Sequence, residues 1–547
     1  MELTSLRPRM LAALLILLTV AVYLPAIGAG FIWDDDTLLT ANPQMRSLDG
    51  LGQIWLGEHS RDYTPLTLSS FWIEWHLWGD RPAGYHVVNI LLHALCAVLL
   101  WRILERLRVP GAWLAALLFA IHPVNVASVA WVAERKNTLS AALFLGSVLC
   151  YLAGRDERGE KGRGLYAGSI GLFLLAALSK GAVVTMPAVL LLCVAWKDGK
   201  VLWRDVWAVM PFGGIAVACS VFTILFQARA PHYGLIPDTV DYRVARAGAA
   251  IWFYLGALVW PAGMSPMRAP WAPNLRSVVT YVPAVGAAAV WGLFFWKRKS
   301  WGRAPLFGYT YYLIMLAPVL GFVWMTLMQE TPSADWWQYI AAPGVFACVA
   351  GGFVAAGRKW RLAMPLCVVV VAALVYQTWQ RAGIYESMES YCLAVTAEDP
   401  HAWTLQNNLG IMLKRHGHYP EAEACFHRAL EDNPGYVEAH INLGNALGAA
   451  GDLRGAEAEM GRAGLMYEEK GWFARAEACF RDALALVPGD IALRIQLCTV
   501  LLEEGKKEEA LRGCAEVEVL AQKVGNPEAI AAAAKIRRDC EAAALPH

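Results

Sequence analysis

The sequence predicts an all-α protein in two parts, a polytopic helical membrane domain followed by a solenoid of helical repeats. Of its 547 residues, 57% are hydrophobic and 17% are charged, whereas an ordinary soluble domain is about 45–50% apolar and about 25% charged. The excess lies in long apolar runs within residues 1–385. From residue 386 onward, Ala, Glu, Arg and Leu recur with helical periodicity. We therefore expect a membrane domain at 1–385 and a repeat domain at 386–547.

Apolar runs of about 20 residues are long enough to cross a bilayer as helices. The first run exceeds the roughly 7–15 residues of a signal-peptide core, so we expect an uncleaved first helix. A stretch at Ala247–Trp260 is short and is followed by Pro261, which indicates a re-entrant or interfacial helix or a twelfth span. About eleven other spans are predicted, near residues 10–30, 85–103, 111–131, 138–153, 165–178, 181–196, 207–227, 277–296, 306–327, 338–356 and 362–379.

The basic residues orient these spans, because loops rich in Lys and Arg stay in the cytoplasm. Arg7 and Arg9 place the N-terminus inside. If Ala247–Trp260 does not cross, the other basic loops fall on the same side, and residues 30–84 become the first outer loop. The C-terminal repeats then also lie outside. The loops concerned are Arg102–Arg108, Arg155–Arg163, Lys197–Arg204, Lys297–Arg303 and Arg358–Arg361.

The C-terminal part contains an internal repeat of 34 residues, which is the tetratricopeptide period. Leu409-Gly410, Ala422 and Ala429 recur 34 residues later as Leu443-Gly444, Ala456 and Ala463. The next unit starts at Gly464, only 20 residues after Gly444. We therefore expect one helix, at about Leu453–Lys470, to serve two units. Ile530–Ala544 is expected to cap the solenoid, whose end needs a polar outer face.

Three consecutive acids stand at the outer end of the first predicted span: Asp34, Asp35 and Asp36. Ionisable groups at membrane depth are expensive, and those retained usually have a function. We therefore predict that Asp34 and Asp35 carry chemistry, and the alternative is that they are only solvated residues at a helix end.

Four cations fall on the predicted outer side, where the positive-inside rule disfavours them: Arg135, Lys136, Lys180 and Arg246. This placement indicates an anionic ligand, and a lipid-linked phosphate suits the fork of Arg and the point charge of Lys. Lys180 could instead reach up to lipid phosphate. Acids beside phosphate-binding cations fit a transfer reaction, with an acid as base and cations on the leaving group.

A second set of polar residues is expected to bind substrate or support the site. His86, Asn89 and His93 share one face of a predicted helix. The alternative for His93 is a hydrogen bond between helices, since polar side chains often join membrane helices in this way. The other candidates lie in or beside the outer loops, and they are Tyr63, His122, Glu134, Asp335, Gln338 and Tyr339.

Taken together, these motifs resemble bacterial relatives of the transmembrane-and-TPR protein O-mannosyltransferases. The resemblance covers most of the chain, and it departs from the usual family residues at Asn125, at Trp336 and in the stretch 264–271. The matching stretches are 31–35, 63–67, 84–89, 122–124, 133–137, 179–180, 246 with 252–255, and 334–335 with 338–339.

The resemblance implies a GT-C glycosyltransferase in a bacterial inner membrane, with its repeats in the periplasm. Such an enzyme moves a sugar, commonly mannose, from a polyprenyl-phosphate donor to a Ser or Thr hydroxyl of an acceptor protein, with inversion. By this resemblance Asp34 is the general base, Asp35 orients or replaces it, and Asp36 is solvated. No metal and no cofactor are expected, since the lipid-linked sugar is a substrate. The solenoid would hold the acceptor protein or peptide.

Two other functional classes were weighed. A flippase or transporter of a lipid-linked glycan would place charges at the membrane midplane and show repeated spans, and the sequence has neither. A non-catalytic scaffold would work through its repeats alone. The net charge of +1 argues against a nucleic-acid partner. The twelve cysteines contain no Cys-x-x-Cys pair, so a zinc site is not expected and no disulfide can be inferred.

Overall fold

The computed structural model describes residues 7–57, 62–227, 239–264, 273–322, 328 and 333–542. All regular structure in these ranges is helical, and it forms two compact units, Met1–Ala394 and Val395–His547. The helices of the first unit are α1 Pro8–Val22, α2 Leu24–Ile27, α3 Leu48–Leu56, α4 Pro65–Trp78, α5 Pro82–Arg106, α6 Ala112–Ile121, α7 Val126–Ala130, α8 Arg135–Asp156, α9 Gly159–Ser179, α10 Met186–Asp198, α11 Trp203–Gln227, α12 Val240–Val259, α13 Val282–Trp296, α14 Arg303–Leu316, α15 Ala342–Gly357 and α16 Ala363–Gly383. They are followed by α17 Met388–Glu398, α18 Trp403–Arg415, α19 Tyr419–Asp432, α20 Val437–Ala450, α21 Leu453–Glu469, α22 Phe473–Leu486, α23 Ile491–Glu503, α24 Lys507–Val524 and α25 Pro527–Ala542.

The first unit is a multi-pass membrane domain. Within the described residues seven helices are long and apolar enough to span a bilayer, or eight if the bent pair α6–α7 is one span. The other three of the eleven predicted spans correspond to the shorter helices α1, α14 and α15, which have 15, 14 and 16 residues. The seven segments are Pro82–Arg106, Val132–Asp156, Gly159–Ser179, Gly181–Asp198, Trp203–Gln227, Val278–Trp296 and Ala363–Glu386.

Two predicted spans are interrupted at prolines. The run at 10–30 was expected to be one helix, but α1 ends at Val22 and Pro25 lies in the short α2. The run at 111–131 bends by 56° between α6 and the segment that begins at Pro123. Proline has no N–H and its ring clashes with the carbonyl four residues earlier, so a helix continues through it only with a kink or break. Both interruptions bring irregular backbone to the region of the predicted site.

The short apolar stretch at Ala247–Trp260 belongs to a longer helix. In the structure α12 covers twenty residues, because it begins at Val240 and includes Asp241, Arg243 and Arg246. It ends one residue before Trp260, which precedes Pro261. These charges in its first half keep α12 out of the set of apolar spans, and whether it crosses the membrane stays a prediction.

Several helices of the first unit expose apolar side chains along most of their length. Val217 on α11 is 65% exposed, Val285 on α13 is 66% exposed and Val368 on α16 is 64% exposed. A continuous apolar surface of this kind marks a region that meets lipid or another apolar partner. The exposure therefore agrees with membrane embedding of this unit.

An apolar cluster fixes the loop at residues 30–84 against the rest of the first unit. The loop contributes α3 and α4, and the cluster extends to the 3-10 segment Val132–Glu134 that precedes α8. Burial of such side chains contributes roughly 1.5–3 kcal/mol each. The loop that carries the acids and the segment Val132–Glu134 are thereby held together. The buried members are Leu39, Met45, Ile54, Leu68, Phe71, Tyr85 and Val132.

The second unit is a solenoid of antiparallel helices, and the expected shared helix is confirmed. α21 is continuous over Leu453–Glu469 and packs on α20 on one side and α22 on the other. Gly444 of α20 faces Met460, and Gly464 of α21 faces the ring of Phe480 on α22. A Cβ atom at Gly464 would lie 2.5 Å from that ring, so glycine is required there. One helix thus carries the small-residue contacts of two repeats. The expected cap is also helical, as α25.

Candidate active site

The buried side chain of Asp35 links two segments of the first unit by hydrogen bonds. Its side chain is fully buried, Oδ2 accepts a hydrogen bond from the N–H of Ile32 at 2.8 Å, and Oδ1 accepts one from the N–H of Ala133 at 2.7 Å. Hydrogen bonds that join backbone N–H groups to a buried carboxyl fix its position. Asp35 therefore connects the end of α2 to the segment Val132–Glu134.

Asp34 and Asp36 lie in different environments from Asp35. Asp36 is exposed and its Oδ1 accepts a hydrogen bond from the hydroxyl of Thr40 at 2.8 Å, as expected for a solvated residue. Asp34 is half-buried. It follows Trp33, whose φ of 50° is rare for a bulky residue. Such strained conformations cluster at functional sites. Of the three acids, Asp34 alone stands at the boundary between the protein interior and the surface.

The pKa of Asp35 favours Asp34 as the proposed base. Burial raises the pKa of Asp35 to about 8, the N–H groups of Ile32 and Ala133 lower it, and the charges of Asp34 and Asp36 raise it again. At neutral pH Asp35 is then mostly protonated and cannot accept a proton from a substrate. A positioning role for Asp35 and a chemical role for Asp34 agree with this difference.

The raised pKa makes Asp35 a source of pH-dependent stability. The unfolded carboxyl titrates near 3.9, so between about pH 4 and pH 8 the folded chain keeps a proton that the unfolded chain releases. We expect the free energy of unfolding to fall by up to about 1.4 kcal/mol per pH unit across this window, and to level off above it. Thermal unfolding of the purified protein in detergent from pH 5 to pH 9 measures the slope.

Asp35→Asn should flatten the dependence of the unfolding free energy on pH. It should also lower stability at every pH, because the amide NH₂ of the asparagine would face a backbone N–H donor. Asp36→Asn is the matched control and should change the slope little, since Asp36 is exposed and its charge is the smallest of the influences on the pKa of Asp35. Equal slopes for Asp35→Asn and the wild type would show that Asp35 is not the titrating group.

Lys136 and Lys180 are joined by a buried polar network. The Nζ atom of Lys136 lies 3.0 Å from Oε1 of Glu134, whose Oε2 accepts a hydrogen bond from Nδ2 of Asn137 at 2.5 Å. Oδ1 of Asn137 in turn accepts a hydrogen bond from Nζ of Lys180. The predicted residues Glu134, Lys136 and Lys180 are therefore brought together, and Asn137 is the bridge between them.

The charge of Asp34 acts on Lys136, which is the neighbour of Lys180. Lys136 is stabilised by the negative charges of Glu134, Asp62 and Asp34, in that order. Burial lowers the pKa of Lys180 to about 8, the charge of Glu134 raises it, and the neighbouring Lys136 lowers it further. Lys136 contacts the buried carboxylate of Glu134 directly, and Lys180 reaches it through Asn137. An acid and two cations therefore meet in one place.

Arg135 was expected to bind phosphate, and the structure corrects this expectation. Its side chain is fully buried, and its Nη1 and Nη2 contact both carboxylate oxygens of Glu74 at 2.5 and 3.0 Å. Nη2 also donates to the carbonyl of Tyr85 at 2.9 Å, and Nε donates to Asn89. Since these bonds occupy most of the guanidinium donors, Arg135 stabilises the fold instead.

The predicted polar face of α5 serves mainly internal hydrogen bonds. Asn89 donates to the carbonyl of Trp131 at 3.2 Å as well as accepting from Arg135. His93 contacts the hydroxyl of Tyr339 at 2.7 Å and the carbonyl of Ala120 at 3.1 Å. The alternative of a hydrogen bond between helices is therefore confirmed for His93, and Tyr339 is its partner.

The remaining predicted residues line the surroundings of the site. His86 lies against the backbone of Gly30 and Ala130. Nδ1 of His122 accepts from the N–H of Val124, and its Nε2 contacts the carbonyl of Leu258 at 3.1 Å. These contacts place both histidines in the interior. His122 in particular fixes the bend between α6 and α7.

Arg246, Asp335, Gln338 and Tyr63 occupy three further locations. Arg246 is buried against Gly321, while Asp335 and Gln338 are buried in one 3-10 turn. Tyr63 is half-buried, its ring lies 4.5 Å from that of Phe222, and its hydroxyl donates to the carbonyl of Trp55 at 3.0 Å. Arg61 of the Tyr63 motif and residues 265–271 of the departing stretch lie outside the described residues.

Sequence reasoning missed the roles of Glu74 and Asn137. Glu74 is the only charged residue in α4 other than the titratable His76, and a lone carboxylate among aromatic residues signals a buried partner. Asn137 lies in the stretch 133–137, which carries part of the family resemblance, but no role was predicted for Asn137 itself. In the described part of the chain no group of three or more His, Cys, Asp or Glu could hold a metal ion.

The fold and the site define a multi-pass helical membrane protein with a tetratricopeptide solenoid. Residues 413–470 match the family model for the tetratricopeptide repeat. The chain is similar to curated protein O-mannosyl-transferases, as the motifs implied. Protein O-mannosyl-transferase TMTC2 of Mus musculus is 32% identical over 158 residues, 27% of this chain and 19% of the relative. TMTC4 of Homo sapiens is 32% identical over 182 residues, 28% and 24% of the two chains.

A third relative, Protein O-mannosyl-transferase Tmtc1 of Drosophila melanogaster, is 30% identical over 190 residues, 32% of this chain and 21% of the relative. The chain thus spans at most about a quarter of these relatives. Among solved structures, ArnT from Cupriavidus metallidurans bound to undecaprenyl phosphate aligns with a TM-score of 0.38 and 13% identity, over 82% of this chain and 79% of ArnT. Similarity at that level does not establish a shared fold.

Proposed function

We propose that this chain is an integral-membrane glycosyltransferase of GT-C type that moves a sugar from a polyprenyl-phosphate donor to a Ser or Thr hydroxyl. The observation that carries the proposal is the half-buried Asp34 acting on Lys136, which is linked to Lys180 through Glu134 and Asn137. Similarity to protein O-mannosyl-transferases supports the reaction class and mannose as the sugar. Replacement of Asp34 by Asn tests the proposal.

The mechanism assigns one step to each group. Asp34 accepts the proton of the acceptor hydroxyl as its oxygen bonds to C1 of the sugar. The bond between C1 and the phosphate oxygen breaks on the opposite face, so the configuration at C1 inverts. The departing polyprenyl phosphate gains negative charge, which Lys136 and Lys180 stabilise. Asp35 holds the loop that carries Asp34, through its bonds to Ile32 and Ala133.

The proposed location follows from the basic loops rather than from the site. Their distribution supports an N-terminus in the cytoplasm and acids outside, and the resemblance to bacterial relatives of the transmembrane-and-TPR enzymes supports a bacterial inner membrane. The solenoid would then lie in the periplasm, where it could hold an acceptor protein, because tetratricopeptide arrays form extended concave binding surfaces. No described feature favours a flippase or a scaffold over the enzyme.

Removing either lysine should weaken the binding of donor phosphate. We expect Lys136→Met and Lys180→Met each to raise the KM for the lipid-linked donor by about 10- to 100-fold, since a charge-assisted hydrogen bond contributes roughly 1.5–3 kcal/mol. The KM for an acceptor peptide should stay unchanged. Steady-state transfer by the purified protein in detergent measures both constants.

Lys161→Met is the matched control for the lysine variants, because Lys161 is 70% exposed and pairs with Glu157 away from the acids. Its donor KM should equal that of the wild type. The phosphate-binding role is wrong if Lys136→Met and Lys180→Met also keep the wild-type donor KM.

A further inference from the structure

Three tryptophans form a series of ring contacts that begins at the residue before Asp34. We name Trp33, Trp131 and Trp336 the indole cluster. The ring centroids of Trp33 and Trp131 are 5.8 Å apart with an interplanar angle of 37°, and those of Trp131 and Trp336 are 5.3 Å apart at 86°. Trp33 immediately precedes Asp34, and Trp131 immediately precedes the segment Val132–Glu134 that Asp35 holds. The indole cluster is therefore part of the same local structure as the acids.

The indole cluster contains an unused hydrogen-bond donor. Nε1 of Trp131 is buried and makes no hydrogen bond within the described residues. On the same 3-10 turn as Trp336, both amide atoms of the fully buried Gln338 are likewise unpaired among the described residues. Buried polar groups are nearly always paired, and leaving one unpaired is costly. A bound polar molecule would explain why these groups are retained.

The chemistry of a hexose matches this combination. A pyranose presents C–H groups on its faces, which pack on aromatic rings, and hydroxyls around its edge, which hydrogen-bond to donors and acceptors. Ligand sites in general combine aromatic walls with a few placed polar groups. Trp33 is half-buried, whereas Trp131 and Trp336 are buried. The indole of Trp33 thus retains accessible surface beside Asp34.

We propose that the indole cluster binds the sugar of the lipid-linked donor. Trp33 packs against a C–H face of the ring, Trp131 donates from Nε1 to a hydroxyl, and the amide of Gln338 completes the recognition of the hydroxyl edge. The positive φ of Trp33 holds its ring against Trp131. This assignment rests on the proposed function, and it divides the donor between two sets of residues: the lysine pair binds phosphate and the indole cluster binds sugar.

This division of the donor is tested by measuring the binding of a bare polyprenyl phosphate and of the same lipid carrying one sugar. The sugar is mannose, glucose, galactose or N-acetylglucosamine. The wild type should bind at least one sugar-bearing lipid more tightly than the bare phosphate. Trp131→Phe keeps an aromatic ring but removes the N–H, and it should reduce that preference by about 10- to 100-fold. Its affinity for the bare phosphate should not change. Trp33→Leu should also reduce the preference.

Trp207→Phe is the control, since Trp207 is 61% exposed on α11 and should keep the wild-type preference. If Trp131→Phe does not fold, the wild type is tested instead with lipids that carry deoxy sugars. Loss of the hydroxyl that Trp131 binds should lower the affinity by the same factor of about 10 to 100. The inference is overturned if the wild type shows no preference, if Trp131→Phe retains it, or if no deoxy sugar binds more weakly. A sugar preference without any transfer would instead contradict the enzyme proposal and leave the sugar site standing.

Discussion

Asp34→Asn is expected to lower the rate of sugar transfer by about 10²- to 10⁴-fold, the usual contribution of a general base. Asn has nearly the same shape as Asp but cannot accept the proton of the acceptor hydroxyl. The donor KM should change little, because Lys136 and Lys180 bind the phosphate. Single-turnover transfer from a polyprenyl-phosphate sugar to a peptide containing Ser or Thr, with purified protein in detergent, separates the chemical step from binding.

Asp36→Asn is the matched control for this prediction. Asp36 is two residues away, is exposed and contacts Thr40, so its replacement should leave the transfer rate within about twofold of the wild type. Transfer by Asp34→Asn at the wild-type rate would remove the base assignment. If the double variant Asp34→Asn with Asp35→Asn also transferred sugar at that rate, the proposed mechanism would be wrong as a whole.

Arg135→Met is expected to cost about 3–5 kcal/mol of folding stability, the range found when one partner of a buried ion pair is removed. The substitution leaves the carboxylate of Glu74 buried without its two N–H donors, and it also removes the guanidinium that lies over the ring of Phe71. The carbonyl of Tyr85 also loses a donor. Denaturant unfolding of the purified protein in mixed micelles measures the loss.

Two controls test whether the stability is lost because the buried ion pair is broken or because a positive charge is removed. The double variant Arg135→Met with Glu74→Leu should recover much of the stability, because no uncompensated charge remains. Arg102→Met removes an exposed partner of Glu105 and should cost less than about 1 kcal/mol. If Arg135→Met kept its stability but raised the donor KM, the original expectation of a phosphate-binding Arg135 would be restored.

The assignment of Arg135 shows where sequence reasoning reached its limit. An arginine on the predicted outer side is an exception to the positive-inside rule and therefore indicates an anionic ligand. The residues next to Arg135 in the sequence do not reveal that a carboxylate inside the protein is its partner. Glu74 lies in α4, 61 residues earlier, and only the fold brings the two together. By contrast, Asp36 is exposed, as the resemblance implied, and this requires no distant partner.

The same contrast applies to the architecture. The shared helix α21 followed from the 20-residue interval between Gly444 and Gly464, since repeat spacing directly encodes helix packing. The interruptions at Pro25 and Pro123 were not predicted, because a hydropathy run records apolar length and not the continuity of backbone hydrogen bonds. The network through Asn137 was also missed, since its partners come from three different segments.

The most direct test of the central claim is mass spectrometry of proteins from the extracytoplasmic compartment of cells with and without this chain. We predict hexose-modified Ser or Thr peptides that disappear when the chain is deleted. Wild type and Asp36→Asn should restore them, and Asp34→Asn should not. An unchanged set of glycopeptides after deletion, or full restoration by Asp34→Asn, would contradict a transfer reaction that depends on Asp34.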